Sequence, residues 1–294
     1  MLKLNMKCYL CHTAINPLKS IIYECKNCRL AIIENKKIPK DLSEIYNFKN
    51  YHLEEKKHKK RFTNLMAITR KFMKKGKVLD VGGGFGLFSK LLAKTGQYKI
   101  EVIEPSVIPH YLSNINYILY KTSYEKFLNK THKKYDGIIM LDILEHFKSP
   151  LNNLKKTLKI LNENGFLIIQ TPNYQSLMAK ICKNWSWWML EDHKYLFSQK
   201  SIKIILEKSG YKIVYFKTYE DFFDFKKNLD GNFTGIKNII IRRTIKLIFF
   251  SLFFPFYFFT RSLIWDLGYG GLIFLIARKY NNNDEKQTFP FNGY

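Results

Sequence analysis

The segment Val78 to Gly86, VLDVGGGFG, constrains the fold more than any other. It follows an apolar strand, opens a helix, and sets Asp80, Gly82, Gly84 and Gly86 two residues apart. Glycines at this spacing remove the side chains that would keep a ligand off the backbone, and LFSKLLAKTG continues with helical periodicity. A dinucleotide fingerprint begun at Gly82 needs a third glycine where Leu87 stands; begun at Gly84, it needs one at Ser89. No Gly-Lys-Ser or Gly-Lys-Thr occurs anywhere, which excludes a phosphate-cradling P-loop. A strand–loop–helix at the carboxyl edge of an open α/β sheet remains.

The flanking sequence repeats that rhythm. Strands are predicted over 77–81, 99–104, 117–120 and 135–141, with helices over 85–95 and 123–130 and a short element near 108–114. SPLNNLKKTLKILNENG reads as a helix capped by Ser149, with Pro150 at its first position and Gly165 as its stop, leading into the strand FLIIQTP. Beyond a Trp-rich loop come the helix SQKSIKIILEKSG, the strand YKIVYFKT, a long insertion and a last strand, LIFLIARK. The predicted organisation is a cysteine-bearing module over 1–38, a helical linker or lid over 39–75, and an α/β domain over 76–280 with an apolar helical insertion over 219–268. A tail over 281–294 follows.

The second strand, KIEVIEPS, ends in Glu104, 24 residues beyond Asp80, where an acid can accept hydrogen bonds from both hydroxyls of a ribose. Loop and acid together point to S-adenosylmethionine, with Asp80, Gly82, Gly84, Gly86 and Glu104 as cofactor-binding residues. Ser123 and Tyr124 lie where the adenine would be read, and serve equally well as a helix N-terminus. The ordered motifs VLDVGGGFG, VIEPS, YDGIIMLDILEHFKSP, GFLIIQTPN and KSGYKI resemble the class I S-adenosylmethionine-dependent methyltransferases of the small-molecule and sugar group. The resemblance implies a Rossmann-like sheet of seven mostly parallel strands, the last antiparallel, with the insertion just before that last strand. It also places Asp142, Glu145 and His146, after the fourth strand, at the border of the active site, with Asp142 as a further cofactor-binding residue.

Cys8-x2-Cys11 and Cys25-x2-Cys28, separated by 13 residues, form two tight knuckles offering four thiolates. A closed set of this kind suits a structural Zn2+ ion that adds folding energy to a segment too small for its own core. The start MLKLNMKCYL has no apolar h-region, so the expected location is cytoplasmic, where disulfides are disfavoured. A fifth cysteine, Cys182, stands apart.

Methyl transfer to a hydroxyl or carbon acid needs a proton acceptor. Candidates are Glu145 and His146, and in NWSWWMLEDHKYLFSQKSI also His193 and Tyr195, beside Trp185, Trp187 and Trp188. This loop and the zinc-ribbon-like module resemble nucleotide-sugar C-methyltransferases, in which a His and a Tyr precede a Phe-Ser pair, here Phe197-Ser198. Those enzymes carry a further C-terminal domain for which this chain leaves no room, so O-methylation of a sugar stays equally open.

A net charge of +25 suits an acidic partner such as nucleotide phosphates, RNA or an anionic membrane surface, yet only seven of the 49 basic residues are arginine, the residue that phosphate forks and base readout favour. Arginine scarcity, and Asp-Ile-Leu-Glu-His where many nucleic-acid amino-methylating enzymes carry a Pro-Pro-aromatic turn, argue against nucleic acid. The expected substrate is a sugar or glycan intermediate, nucleotide- or lipid-linked, of surface polysaccharide biosynthesis. The alternatives are an rRNA or tRNA methyltransferase and an inactive cofactor-binding scaffold. The uncharged run Leu247 to Thr260 spans 14 residues and contains Pro255, too short to cross a bilayer. The insertion therefore reads as a flap over the substrate, a dimer contact, or a peripheral anchor at the inner face of the membrane.

Overall fold

The computed structural model describes residues 6–34, 51–105, 112–182 and 184–281, the side chains of 51–57 excepted. The first part of the expected linker, 39–50, much of the element expected near 108–114, and the tail beyond 281 lie outside them.

Seven strands form the main sheet: β4 (Gly76–Val81), β5 (Tyr98–Ile103), β6 (Tyr117–Tyr120), β7 (Tyr135–Leu141), β8 (Leu161–Pro172), β10 (Tyr211–Tyr219) and β11 (Leu272–Lys279). Their order is β10-β11-β8-β7-β4-β5-β6. The pairs β4–β5, β4–β7, β5–β6 and β7–β8 are parallel, and β11 runs antiparallel to both its neighbours. The order reverses at β4, so the crevice beyond its carboxyl end is where such a sheet binds ligands. Central strands are apolar on both faces: Leu167 and Ile169 enter one core and Ile168 the other, and β11 divides in the same way. Helices α2 (Leu87–Ala93), α3 (Tyr124–Lys130), α4 (Pro150–Ile160) and α6 (Gln199–Lys208) connect the strands, and α1 (Tyr51–Phe72) precedes them. Leu65 and Thr69 of α1 are buried, with Phe62, Met66, Ile68 and Phe72 packed along the same core.

The helix after Ser149 ends earlier than its sequence suggests. At Leu161 the chain turns extended, and that fully buried residue pairs with Tyr135 of β7. Gly165 is therefore no helix stop: a Cβ there would come within 2.9 Å of the Leu161 side chain, so glycine permits the bulged start of β8 to close on itself.

The cysteine module contributes β1 (Asn16–Lys19), β2 (Ile22–Glu24) and β3 (Ala31–Ile33). Its sheet is completed by β9 (Tyr195–Leu196), from the far side of the Trp-rich loop, in the order β1-β2-β3-β9. Tyr9 reaches the Ser149 hydroxyl at 2.8 Å, and Tyr174 donates to Glu24 at 2.8 Å. A third core lies between this sheet, the Trp-rich loop, α5 (Leu177–Ile181), α7 (Phe222–Gly231) and α8 (Ile239–Asp266). Helices α7 and α8 form the insertion between β10 and β11, as the sequence places it.

Candidate active site

The glycine loop starts where β4 ends. Gly82, Gly84 and Gly86 have φ of 66°, 51° and 80°, a region that only glycine enters freely, and Gly86 caps α2. The Gly82 amide donates to the Ile103 carbonyl at 2.8 Å, tying the loop to the end of β5. A Cβ added at Gly84 would meet nothing within 4 Å, so the loop faces open space on its ligand side. The Glu104 carboxylate lies beside it, accepting from the Gly84 amide at 3.0 Å. Open loop and acid fit the methionine and ribose ends of S-adenosylmethionine. Asp80 is buried and turned inward, accepting from the Ser89 hydroxyl at 2.6 Å, so it braces α2 beneath the loop. Burial pushes its carboxyl up to about 6, against the Ser89 hydrogen bond.

Ser123 is the N-cap of α3 and accepts from the Lys126 amide. Tyr124 is buried, stacked on Phe147 and bonded to Thr157 at 2.7 Å, so its side chain serves the core. Asp142 follows β7 with a φ of 57°, a left-handed turn that Asp tolerates better than most residues. Its two oxygens accept from Gln170 at 2.9 and 2.8 Å, and Gln170 in turn accepts from the Tyr219 hydroxyl.

On the acceptor side, Glu145 and His146 occupy a 3-10 turn after β7, and His193 comes from the Trp-rich loop. One donor atom from each lies within 4.8 Å of the others. The two imidazoles meet edge to face at 4.8 Å between centroids, and Asp192 stands 3.1 Å from His146 Nδ1. Glu145 is 1% exposed; Oε2 accepts from Thr171 at 3.0 Å, while Oε1 has no hydrogen-bond partner among the described residues. His193 is equally buried, and its Nδ1 lacks a partner. Burial pushes the Glu145 carboxyl up to about 8. Burial opposes charge on His146, but Asp192 and Glu145 outweigh it and hold the imidazole at about 9. Burial, reinforced by the His146 charge, drives His193 down to about 3. Near neutrality His146 is therefore the cation and His193 a neutral ring with an available lone pair.

Tyr195 does not join this cluster. Its hydroxyl turns to the Lys148 carbonyl at 3.3 Å, its ring packs 5.6 Å from Tyr9, and burial pushes the phenol up to about 12. Sequence reasoning missed Asp192, Gln170 and Thr171. Asp192 is signalled only by standing next to His193, and the other two by their place at a strand end. It missed Arg61 as well, a buried residue of α1 whose Nε lies 3.9 Å from Asp221.

The four cysteine sulfurs also lie within 4.8 Å of one another. Cys8–Cys28 and Cys11–Cys25 are 3.4 and 3.3 Å apart, far beyond the roughly 2.05 Å of a disulfide and near the spacing that about 2.3 Å bonds to one tetrahedral zinc would impose. The knuckles repeat one backbone pattern. His12 and Arg29 both have positive φ, and their amides donate back to the Cys8 and Cys25 carbonyls at 2.9 and 2.8 Å. The donor set fits a closed divalent site.

Sheet order, reversed β11, glycine loop and second-strand acid together define the class I S-adenosylmethionine-dependent methyltransferase fold. Residues 53–215 match the methyltransferase domain family, and the chain belongs to it. A ubiquinone biosynthesis O-methyltransferase of Histophilus somni (strain 2336) is 32% identical over 108 residues. That match covers 33% of this chain and 45% of the relative, so the chain spans less than half of its length. An S-adenosylmethionine-dependent methyltransferase from Archaeoglobus fulgidus superposes with a TM-score of 0.51 at 20% identity, over 78% of this chain and 100% of that one. One from Thermotoga maritima has a TM-score of 0.51 at 16% identity, over 78% and 94%.

Proposed function

We propose that this chain transfers the methyl group of S-adenosylmethionine to a sugar or glycan intermediate, nucleotide- or lipid-linked, in the assembly of a surface polysaccharide at the cytoplasmic face of the membrane. One observation carries the reading. The Trp-rich loop and the adjoining turn bury polar atoms without partners among the described residues: Glu145 Oε1, His193 Nδ1, and the indole Nε1 atoms of Trp185, Trp187 and Trp188. Buried groups of this kind are costly unless something satisfies them, and a polyhydroxylated acceptor supplies both donors and acceptors.

When bound, S-adenosylmethionine supplies a methyl group on a sulfonium. Gly82 to Gly86 and Glu104 would hold it. A neighbouring hydroxyl of the sugar donates to His193 Nδ1 and so aims the reacting oxygen, whose own proton is hydrogen-bonded to Glu145 Oε1. As that oxygen takes up the methyl group that the bound sulfonium would supply, the bond pair staying with the departing sulfur, the hydroxyl proton passes to Glu145. His146, charged and held by Asp192, stabilises the Glu145 carboxylate that must exist beforehand. A carboxyl titrating near 8 is well matched to that task. In the cysteine module Cys8, Cys11, Cys25 and Cys28 would hold a structural zinc ion.

The partial match to an O-methyltransferase favours a second acceptor, a phenolic hydroxyl on a lipid-soluble molecule. Purified protein is to be assayed for S-adenosylhomocysteine release with nucleotide sugars, lipid-linked glycans, catechols and transcribed rRNA. Turnover with the first two supports the proposal. Turnover confined to catechols moves the reading to the phenol, and turnover confined to RNA overturns it.

A further inference from the structure

Helix α8 is apolar on two opposite faces. Its inner face packs onto α7, with Phe225 stacked on Tyr257 at 4.1 Å and on Phe253 at 6.4 Å, and with Phe222 against Phe254 at 5.8 Å. Its outer face carries Ile241, Ile245, Ile248, Leu252, Phe256, Phe259 and Leu263, spaced three and four apart, and all exposed, up to 74% at Leu252 and 83% at Phe259. Such spacing aligns them in one outward stripe. Among the described residues α8 is the one helix long and apolar enough to cross a membrane, and only 6% of its most apolar window is buried.

Crossing is excluded by topology. The insertion leaves from β10 and returns in β11, and these strands are paired antiparallel from Tyr211 to Tyr219. A single pass would put them on opposite sides of a bilayer. At 28 residues α8 is about 42 Å long, which suits a helix lying along a surface. Lys237, Arg242, Arg243 and Lys246 precede its uncharged run, and Arg261, stacked on Phe258 and Trp265, follows it. Aromatic and aliphatic residues bordered by basic ones match the boundary between acyl chains and anionic headgroups. A second copy is a poorer occupant, because each chain brings a charge of +25.

We propose that α8 lies in the plane of an anionic phospholipid bilayer, its Leu252–Phe259 stripe among the acyl chains and its basic ends at the headgroups. The Trp-rich loop shares a core with α8, so docking sets the acceptor side of the enzyme next to the membrane. That consequence, a substrate carried on a lipid, rests on the function proposed above; vesicle binding itself does not.

The test is sedimentation of the full chain with vesicles of equal parts phosphatidylglycerol and phosphatidylcholine, and with phosphatidylcholine alone. Binding is expected to the anionic vesicles, to weaken with salt, and to fall at least about tenfold in the Leu252→Glu/Phe259→Glu double variant. Arg243→Glu should weaken it by more than the roughly fivefold that one lost charge represents. Thermal unfolding and S-adenosylmethionine binding of these variants should match the parent, because the stripe faces away from the core. Parent protein that stays in the supernatant overturns the proposal, as does a parent dimer that the double variant converts to monomer. Vesicle binding that persists unchanged in the double variant overturns it too.

Discussion

The Ile33 amide donates to the Lys194 carbonyl at 3.0 Å, and the Lys194 amide donates in turn to the Glu145 carbonyl at 3.0 Å. One residue, Lys194, thus joins the last strand of the cysteine module to the turn carrying Glu145, immediately beside His193. The pairing of Ala31 with Leu196 extends the same strap. The four-cysteine module therefore helps to place the acceptor-side groups.

Metal removal should separate binding from turnover. Chelation, or Cys25→Ser, is expected to lower kcat sharply while leaving affinity for S-adenosylmethionine within about threefold, since the Gly82 and Gly84 amides are held by the Ile103 carbonyl and Glu104 rather than by the module. Calorimetric titration with the cofactor, run beside a turnover assay and metal analysis, checks this. Equal loss of both properties would show that the module supports the whole fold.

Glu104→Gln keeps the shape and removes the charge that meets the Gly84 amide and would meet the ribose hydroxyls. A lost charge-assisted hydrogen bond is worth about 1.5–3 kcal/mol, so affinity for the cofactor should fall about ten- to a hundredfold. 5′-Methylthioadenosine, which keeps the ribose, should lose as much, whereas Ser123→Ala should cost S-adenosylmethionine little, because Ser123 caps a helix.

The pH profile follows from two raised groups with opposite demands. Glu145 must lose its proton to accept another, so the rate should rise with pH through about 8. His146 must keep its proton, so the rate should fall above about 9. Because the groups interact, the limbs report the pair rather than single residues. Asp192→Asn removes the carboxylate that favours the imidazolium, and the alkaline limb should move to lower pH. Glu145→Gln should abolish the acid limb and lower kcat about a hundredfold or more.

From Gly76 onward the strands and helices were legible, because their signals are local: apolar runs, a capped start, glycines in a turn. What escaped was set by partners distant in sequence. β9 is two residues long and has no pattern of its own; it is a strand only because β3 lies alongside. Helix α4 stops at Ile160 and not at Gly165, because Leu161 pairs with Tyr135, a partner that NENG does not reveal. The gathering of Glu145 and His146 with His193 depends on how the Trp-rich loop folds back, and the same fold carries the Tyr195 hydroxyl away. The helix α8 is twice the length of its uncharged run because Arg242, Arg243 and Arg261 continue the helix at either end.

The glycine loop itself is testable at Gly82. Its φ of 66° disfavours any side chain, and an added Cβ would stand 2.1 Å from Ile143 Cδ1. Left-handed backbone costs roughly 1–2 kcal/mol, and overpacking typically about 1–3 kcal/mol more. Gly82→Ala should therefore displace the loop, weaken S-adenosylmethionine binding at least about tenfold and lower the melting temperature. Shortening the opposing side chain separates the two causes: Gly82→Ala/Ile143→Ala should recover the part due to the clash and leave the backbone part, whereas Ile143→Ala alone should bind cofactor nearly as the parent does. Cofactor affinity unchanged in Gly82→Ala would mean that the ligand does not lie against this loop. Full recovery in the double variant would mean that the left-handed conformation carries no cost of its own.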